Sequence, residues 1–398
     1  MKKFTVLFFC LLGISAFIIG IKDNRISSLF YKEYWDNTVD DYEEYEYNFI
    51  NDSVLGFSGR WLKEELDLHP NTNIVISPVS MYLATAMLAE GANERAYAEL
   101  SEILGTKGIP LPEFNKAIQK SSALHSRYAR IANSIWGDRF KGTFKDLVKK
   151  NLNAEAKKIP SNTNPINSWV NEKTKGEIPM ILPSRKLNNR DFFLINAIYF
   201  KADWLDPFEV GGTEKRDFHT PSETVSVDMM SKTEYIPYYE DEIMQAVILT
   251  YKGKRDSMTV YLPKKEVAWS DFISHLTENN FRFNFRSQKV RLGLPKFDID
   301  YNVDTLVKTL KKWNITSIFE IGSLEGVGKN AVVKEIIHKA KVKVDETGTV
   351  AVAVSAFGGD YGDTLTDEAP IPVVWVDHPF VFKINDGLFV GSIVNPNH

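Results

Sequence analysis

The chain has 398 residues, of which 43% are hydrophobic and 25% are charged, a balance that is typical of a globular protein able to bury a large core. The formal net charge of −4 argues against a general nucleic-acid-binding protein, because phosphate backbones are bound by positively charged surfaces.

The first 20 residues are predicted to be a secretory signal peptide. Lys2 and Lys3 precede an uncharged apolar run from Phe4 to Gly20, which is too short and wrongly flanked for a membrane span, although an uncleaved anchor is the alternative. Cleavage would remove the only cysteine, Cys10, and lower the net charge by two, from −4 to −6. The mature chain would then lack disulfides, zinc–thiolate sites and a cysteine nucleophile. We expect an extracellular protein with no membrane anchor.

Residues 21–48 are predicted to form an acidic, tyrosine-rich tail. The segment 31–47 reads YKEYWDNTVDDYEEYEY and has no apolar periodicity, which indicates a solvated segment. The alternative is a regulatory tail that docks on a basic surface. In that case three tyrosines with acidic neighbours are candidates for sulfation, namely Tyr42, Tyr45 and Tyr47.

Two N-x-S/T sequons follow, beginning at Asn51 and at Asn314. In a secreted protein each asparagine is a candidate for an N-linked glycan. The tripeptide is a weak signal, because it does not reveal whether the asparagine is exposed.

From residue 49 to residue 398 the chain is predicted to form one α+β domain. Ser77 followed by Pro78 is a typical helix start before an apolar run. No repeat and no Gly- or Pro-rich linker divides this region, so a single domain is the simplest interpretation. Apolar periodicity predicts helices over 49–66, 81–88, 114–124 and 164–175, and strands within 194–200 and 246–262.

The segment from His338 onward contains a predicted strand. Alternation places three apolar residues on one face and three lysines on the other, namely Ala340, Val342 and Val344 opposite Lys339, Lys341 and Lys343. This pattern is typical of a half-buried strand. The sequence Asp-Glu-Thr-Gly at 345–348 then indicates a turn.

A second alternating segment begins at Thr349. Its small residues share one face and its β-branched residues the other, namely Thr349, Ala351, Ala353 and Ser355 opposite Val350, Val352 and Val354. Such a strand has high β-propensity, and it could enter between two existing strands without overpacking the core beneath them. Residues 357–369 are rich in Gly, Asp and Thr, which indicates an exposed loop. The plainer interpretation is a surface hairpin, which would be an aggregation hazard.

These patterns resemble the serpin family from about Phe49 to the C-terminus. The matching motifs are NIVISPVSMYLATAMLAEGA at 73–92, LINAIYFKADW at 194–204, LPKF at 294–297, HPFVF at 378–382 and FVGSIVNP at 389–396. The resemblance implies a large mixed main β-sheet, smaller sheets, about nine helices and an exposed reactive loop over about 346–376.

The resemblance also assigns roles to individual residues. A buried polar cluster beneath the point where the main sheet opens is matched by Ser77, Ser80, Asn196 and His338. Trp204 matches the residue where loop insertion begins, and Lys296 and Glu346 match an ion pair above that opening. The hinge is matched by Glu346, Thr347, Gly348, Thr349, Val350, Ala351, Val352, Ala353, Val354 and Ser355. Its inward side chains are small, which favours an inhibitory member of the family.

The resemblance therefore implies a secreted, monomeric protease inhibitor that is not an enzyme and needs neither a cofactor nor a metal ion. A target serine protease would cleave the reactive loop and form an acyl-enzyme. The loop would then enter the main sheet and trap the protease. The alternatives are a non-inhibitory carrier or storage serpin and an inhibitor of cysteine proteases.

The scissile bond is not fixed by the sequence. The family's spacing counted from Glu346 reaches Gly362, whereas counting back from Pro379 reaches Glu368. Candidate residues are Tyr361 for a chymotrypsin-like protease, Thr364 and Leu365 for an elastase-like protease, and Asp360, Asp363 and Asp367 for an acid-preferring one, with Gly362–Asp363 the bond reached by the count from Glu346. No Lys or Arg occurs between Thr349 and Asp377, so a trypsin-like target is not expected.

A heparin-like polyanion is a further candidate partner. Four basic residues lie near the helix that binds heparin in the family, namely Lys116, Lys120, Arg127 and Arg130. Because the charges are few, a solvated helix face is the favoured interpretation.

Overall fold

The computed structural model describes residues 39–107, 109–120, 126–188, 192–303, 305–349 and 370–398. The chain divides into two compact units, Met1–Asn48 and Phe49–His398. The first helix, α1, covers Val39–Leu68, so it begins earlier than the start at Phe49 that the apolar pattern predicts. Residues 39–48 are therefore helical.

Eight α-helices occur in the described residues, against about nine expected. After α1 they are α2 (Pro78–Ala89), α3 (Glu94–Leu104), α4 (Leu111–Lys120), α5 (Gly142–Leu152), α6 (Asn164–Lys173), α7 (Trp269–Glu278) and α8 (Leu306–Lys312). The predicted start of α2 is confirmed, because the Ser77 hydroxyl accepts a hydrogen bond from the backbone N–H of Ser80 and Pro78 occupies the first turn. In the part of the chain that the structure covers, no helix combines the length and the apolar character needed to cross a bilayer.

Sixteen strands are found in the described residues. They are β1 (Ile74–Ile76), β2 (Ala129–Gly137), β3 (Glu155–Lys158), β4 (Phe193–Phe200), β5 (Ala202–Asp203), β6 (Glu214–His219), β7 (Thr224–Glu240), β8 (Met244–Thr250), β9 (Ser257–Pro263), β10 (Arg286–Pro295), β11 (Phe297–Val303), β12 (Glu335–Val344), β13 (Gly348–Thr349), β14 (Val373–Trp375), β15 (Phe380–Ile384) and β16 (Phe389–Ile393). The apolar region 246–262 therefore contains two antiparallel strands, β8 and β9, rather than one.

The main sheet has five strands in the order β11-β12-β4-β2-β3. Its two middle neighbours, β12 and β4, run parallel and are in register from Glu335 opposite Phe193 to Lys341 opposite Tyr199. The pairs β11–β12 and β2–β4 are antiparallel, and β2–β3 is parallel. The sheet is therefore mixed, as expected for this α+β fold.

A second sheet has nine strands. Eight follow the order β1-β16-β15-β9-β8-β7-β10-β14, and the ninth, β6, pairs with the first part of β7, from Thr224 to Met229. All its pairings are antiparallel except that of β10 with the edge strand β14. The edge strand follows the segment of the predicted reactive loop, so this sheet receives the chain where it returns from that loop.

Both faces of the main sheet are covered by apolar side chains. Along β4, Leu194 and Ile198 belong to the larger hydrophobic core, whereas Phe193, Ile195 and Ala197 belong to a second cluster that includes Trp169 of α6. A strand buried on both faces shows a continuous apolar run instead of alternation. This explains the unbroken sequence FLINAIYF, in which Asn196 is the polar exception.

The structure argues against the predicted glycosylation at Asn51. Only 4% of its surface is exposed, and it lies within α1. A glycan needs a side chain that points into solvent, so the folded helix could not carry one at this position. Asn314 is exposed and lies just after α8, so it stays a candidate site.

Candidate functional site

The described part of the predicted hinge lies at the open end of the main sheet. After β12 ends at Val344, the chain reverses and forms β13, in which Gly348 pairs with Asp203 and Thr349 with Ala202. The pairing is antiparallel, and the partner strand β5 follows directly on β4. The chain after the hinge turn therefore starts on a path that runs antiparallel to both β4 and β12.

A tight turn aims the hinge into this path. The side-chain Oδ1 of Asp345 accepts hydrogen bonds from the backbone N–H and the hydroxyl of Thr347, at 3.0 and 2.7 Å. The backbone N–H of Asp345 donates to the carbonyl of Gly348 at 2.9 Å. A Cβ atom at Gly348 would lie 2.2 Å from the carbonyl oxygen of Ala202. Because backbone cannot yield easily, only glycine permits so close an approach.

Thr349 is fully buried at the top of the sheet opening. Its hydroxyl shares a hydrogen bond of 2.9 Å with the Tyr251 hydroxyl. The Tyr251 ring stacks on Trp204, with centroids 4.4 Å apart and an interplanar angle of 9°. The Trp204 indole N–H donates to the Asp345 carbonyl at 3.0 Å, and its backbone N–H donates to Thr347 at 2.9 Å. The structure thus places Trp204 against the start of the hinge, together with Tyr251.

Glu346 lies in the same hinge turn, but its side chain contacts residues other than Tyr251 and Trp204. Lys296 lies 3.0 Å from its carboxylate, and the Thr213 hydroxyl donates to the same group at 2.7 Å. Burial acts to raise the pKa of Glu346, but the hydrogen bonds from Thr213 and Lys296 outweigh it, so its pKa lies below the usual value. The carboxylate is therefore ionised at neutral pH and ties the turn to Thr213, just before β6, and to Lys296, between β10 and β11.

A buried polar cluster joins α2 to the two middle strands of the main sheet. His338 on β12 is in register with Asn196 on β4, and their side chains are hydrogen bonded through His338 Nδ1 and Asn196 Oδ1. The Asn196 amide donates to the Ser80 hydroxyl at 2.6 Å and also to Asn133 on β2. The Ser77 backbone N–H donates to His338 Nε2 at 3.1 Å. The four residues assigned from the resemblance therefore lie together, and Asn133 joins them.

These contacts fix the protonation state of His338. Nε2 accepts from an N–H group, so it carries no proton, and Nδ1 donates to the Asn196 oxygen. The ring is neutral and packs edge-on against Trp61 with centroids 5.1 Å apart. Burial lowers the pKa of His338 to about 3, because a charged imidazole in this place would lose its hydration without gaining a counter-ion.

The free energy of unfolding should therefore fall in mild acid. Between the unfolded pKa near 6.5 and the folded pKa of about 3, the unfolded chain binds a proton that the folded chain does not, so stability decreases as pH falls by up to ~1.4 kcal/mol per pH unit. His338→Gln should be less stable at pH 7.5 and should show a shallower decline in urea midpoint from pH 6.5 to 4.5. His219→Gln removes an exposed histidine and serves as the control; equal slopes for wild type and His338→Gln would contradict the prediction.

Several predicted site residues lie outside the described residues. These are the rest of the hinge, Val350–Ser355, and the candidate scissile residues, Tyr361–Leu365. The side chains of Tyr42, Tyr45, Tyr47 and Lys120 also lie outside them. Of the other basic residues, Lys116 and Arg127 are exposed and Arg130 is half-buried. Within the described ranges no group of three or more His, Cys, Asp and Glu residues is arranged to hold a metal ion.

Two contributors to the site have no signal in the sequence. Asn133 is one of several polar residues on β2, and only the β2–β4 register places it opposite Asn196. Tyr251 follows β8 and reaches Thr349 only because the second sheet folds against the end of the main sheet. Both contacts depend on tertiary structure between distant segments.

Comparisons with known proteins agree with this architecture. The family model described as serpin (serine protease inhibitor) matches residues 52–396. An uncharacterized serpin-like protein of Thermococcus kodakarensis is 32% identical, over 82% of this chain and 81% of the relative. Serpin48 of the insect Tenebrio molitor superposes with a TM-score of 0.77 at 26% identity, covering 87% and 98% of the two chains. Human thyroxine-binding globulin superposes with a TM-score of 0.75 at 25% identity, covering 88% of this chain and 99% of the globulin. The fold predicted from the sequence is thereby confirmed, and the chain belongs to the serpin family.

Proposed function

We propose that this chain is a secreted, inhibitory serpin that traps a target serine protease by inserting its cleaved reactive loop into the main sheet. The observation that carries the proposal is the pairing of Gly348 and Thr349 with β5. Two residues of the hinge already occupy the path of an additional strand. The residues that follow them in the sequence alternate between small and β-branched side chains, a pattern that suits entry into a sheet. The chain itself would supply no catalytic residue, since the chemistry of cleavage belongs to the protease.

Insertion is favoured by the direction of the strands. The pair β12–β4 is parallel, and parallel pairing is slightly less stable per residue than antiparallel pairing. A strand that enters between them from β13 runs antiparallel to both, so one parallel ladder is exchanged for two antiparallel ladders. The native chain would therefore be held short of its most stable arrangement by the closed loop.

The residues at the opening are suited to this exchange. His338 and Asn196 bridge β12 and β4, so they must separate when a strand enters. The other partners of Asn196, Ser80 and Asn133, and that of His338, the Ser77 backbone N–H, remain nearby and could take over part of the hydrogen bonding. A polar cluster that exchanges partners lets the sheet open without leaving buried groups unpaired. We assign this role to Ser77, Ser80, Asn196 and His338.

Insertion would also move the bound protease. Each residue added to the sheet advances the chain by about 3.3 Å, so insertion from Thr349 to the region of Gly362 carries the acyl-enzyme roughly 40 Å. The absence of Lys and Arg between Thr349 and Asp377 supports a chymotrypsin- or elastase-like target rather than a trypsin-like one. The signal-like segment Met1–Gly20 supports secretion.

The fold alone does not decide between inhibition and carriage, because human thyroxine-binding globulin has the same fold. The hinge composition favours inhibition. Thr349 is buried, and the following inward positions predicted from alternation, Ala351, Ala353 and Ser355, are small. A charged or proline residue there would block entry of the strand.

The test is to incubate the secreted chain with chymotrypsin, pancreatic elastase, a caspase and papain. We expect an SDS-stable complex with chymotrypsin or elastase and release of a C-terminal peptide whose first residue marks the cut bond. Plain digestion of the loop, without an SDS-stable complex with any of the four proteases, would contradict the inhibitory function. A thioester complex with papain or the caspase would replace the serine-protease target with the cysteine-protease alternative.

A further inference from the structure

One side of the second sheet, formed by β7, β10 and β14, is open to solvent. The register places Tyr235 opposite Lys289 and Thr233 opposite Arg291, and it places Val373 beside Arg291. Residues in register project to the same side of a sheet. Tyr235 is 71% exposed and Val373 is 50% exposed. We call the four side chains Tyr235, Lys289, Arg291 and Val373 the β10 face.

The β10 face carries positive charge without a matching negative charge. The residues on this side in the same registers are Ser231, Thr233, Tyr235 and Pro237 on β7, Ser287, Lys289, Arg291 and Gly293 on β10, and Val373 and Trp375 on β14. They include two cations and no carboxylate; the adjoining ion pair of Arg216 with Glu214, in which the guanidinium also lies over the Trp375 ring, is neutral overall. Among the described residues neither Lys289 nor Arg291 has an ion pair, whereas Lys215 on β6 lies 2.9 Å from Asp228.

The composition of the face is typical of a binding surface. Exposed lysines alone usually signify only solvation. Here a largely exposed tyrosine and valine lie beside an arginine whose guanidinium rests over the Trp375 ring at 5.8 Å. Tyrosine, tryptophan and arginine are the residues most enriched where protein interfaces gain their affinity.

The face lies next to the exit of the reactive loop. The Arg291 backbone N–H donates to the Pro372 carbonyl at 2.9 Å, and Pro370 is the first described residue after the loop. The candidate scissile residues Tyr361 and Leu365 precede Pro370 by nine and five residues, so the cut bond lies at most ~32 Å or ~18 Å of chain from it. A globular protease of ~230 residues has a radius of gyration of ~17 Å. A protease bound at the cut bond is therefore tethered, through Pro370, within about one to two times its own radius of gyration of the chain segment beside the β10 face.

From these observations we propose that the β10 face is a docking surface for an acidic patch on the target protease. This inference rests on the proposed function and names the surface chemistry of its partner. Lys289 and Arg291 steer the protease during diffusional encounter, because complementary charges raise the association rate more than the final affinity. Tyr235 and Val373 then supply apolar contact beside the loop. The trapping step is separate, since it depends on the hinge and the main sheet.

The experiment uses the full secreted chain and whichever serine protease of the panel forms the SDS-stable complex. The double variant Lys289→Gln/Arg291→Gln is compared with wild type for its second-order rate constant at low and high NaCl concentrations and for its stoichiometry of inhibition. We expect a ~10-fold lower rate at low salt, a smaller difference at high salt, and an unchanged stoichiometry. Tyr235→Ser should lower the rate ~3-fold or more at both salt concentrations.

The matched control is Lys149→Gln/Lys150→Gln, which removes two exposed positive charges from α5. It should react at the wild-type rate, and thermal melting checks that each variant is folded. Equal rates for the two double variants would overturn the docking surface while leaving the inhibitory function intact. A salt dependence unchanged by Lys289→Gln/Arg291→Gln would do the same. Failure of the wild-type chain to form any complex would overturn the proposed function, and this inference with it.

Discussion

A single cut within the reactive loop will raise the melting temperature of the chain by ~10–15 °C. Cleavage of a loop ordinarily leaves stability unchanged or lowers it, because it adds freedom to the chain. Here the cut releases the strand that begins at β13. The cut should be made with a zinc metalloprotease, which attacks through a metal-bound water and forms no acyl-enzyme, so the cleaved chain is not held in a complex.

The size of the increase follows from the change in pairing. Insertion replaces the β12–β4 ladder with two ladders, a net gain of about one hydrogen bond per inserted residue, or on the order of 10 kcal/mol for a strand of about ten residues. The unfolding entropy of about 2.1 cal/mol/K per residue, applied to the unit Phe49–His398, converts this gain into roughly 14 °C.

The measurement is calorimetry of intact and cut protein, with the cut site located by mass spectrometry. The control is the same cut in Thr349→Arg, whose hinge should not enter the sheet and whose melting temperature should stay near that of the intact variant. A cut wild-type chain that melts at or below the intact chain would show that no strand is waiting to be inserted, and the trapping mechanism would fail.

The sequence predicted the elements of the site better than the contacts between them. Alternation at Lys339–Val344 and the capping sequence Ser77-Pro78 identified β12 and the start of α2, because both patterns are local. The turn at 345–348 was likewise visible as Asp-Glu-Thr-Gly. The proximity of Ser80, Asn196 and His338 came from the family resemblance and could not come from periodicity.

The remaining differences arise from tertiary structure. Periodicity did not reveal that residues 39–48 belong to α1, since an acidic tyrosine-rich segment has no apolar stripe. It also did not reveal that Asn51 points into the protein, since a sequon gives no information on burial. Tyr251 and Asn133 became visible as site residues only when strands distant in sequence were placed side by side.

Thr349→Arg is expected to convert the inhibitor into a substrate. Thr349 is fully buried, and its hydroxyl is bonded to the Tyr251 hydroxyl at 2.9 Å. Arginine cannot lose its charge, and burying an unpaired charge costs several kcal/mol. The substitution would therefore displace the hinge from its place beside β5 and leave the inserting strand without its first residue in the sheet, so the acyl-enzyme would be hydrolysed before the protease is displaced.

The expected result is loss of the SDS-stable complex and at least a ~10-fold rise in the stoichiometry of inhibition, while the loop is still cleaved at the wild-type rate. Thr349→Val is the matched control, because it keeps the size and β-branching of threonine and loses only the hydroxyl; it should remain an inhibitor. Since the two variants differ in charge and length at one position, their comparison isolates entry of this residue into the sheet. If Thr349→Arg still traps the protease with wild-type stoichiometry, the strand that inserts cannot begin at β13.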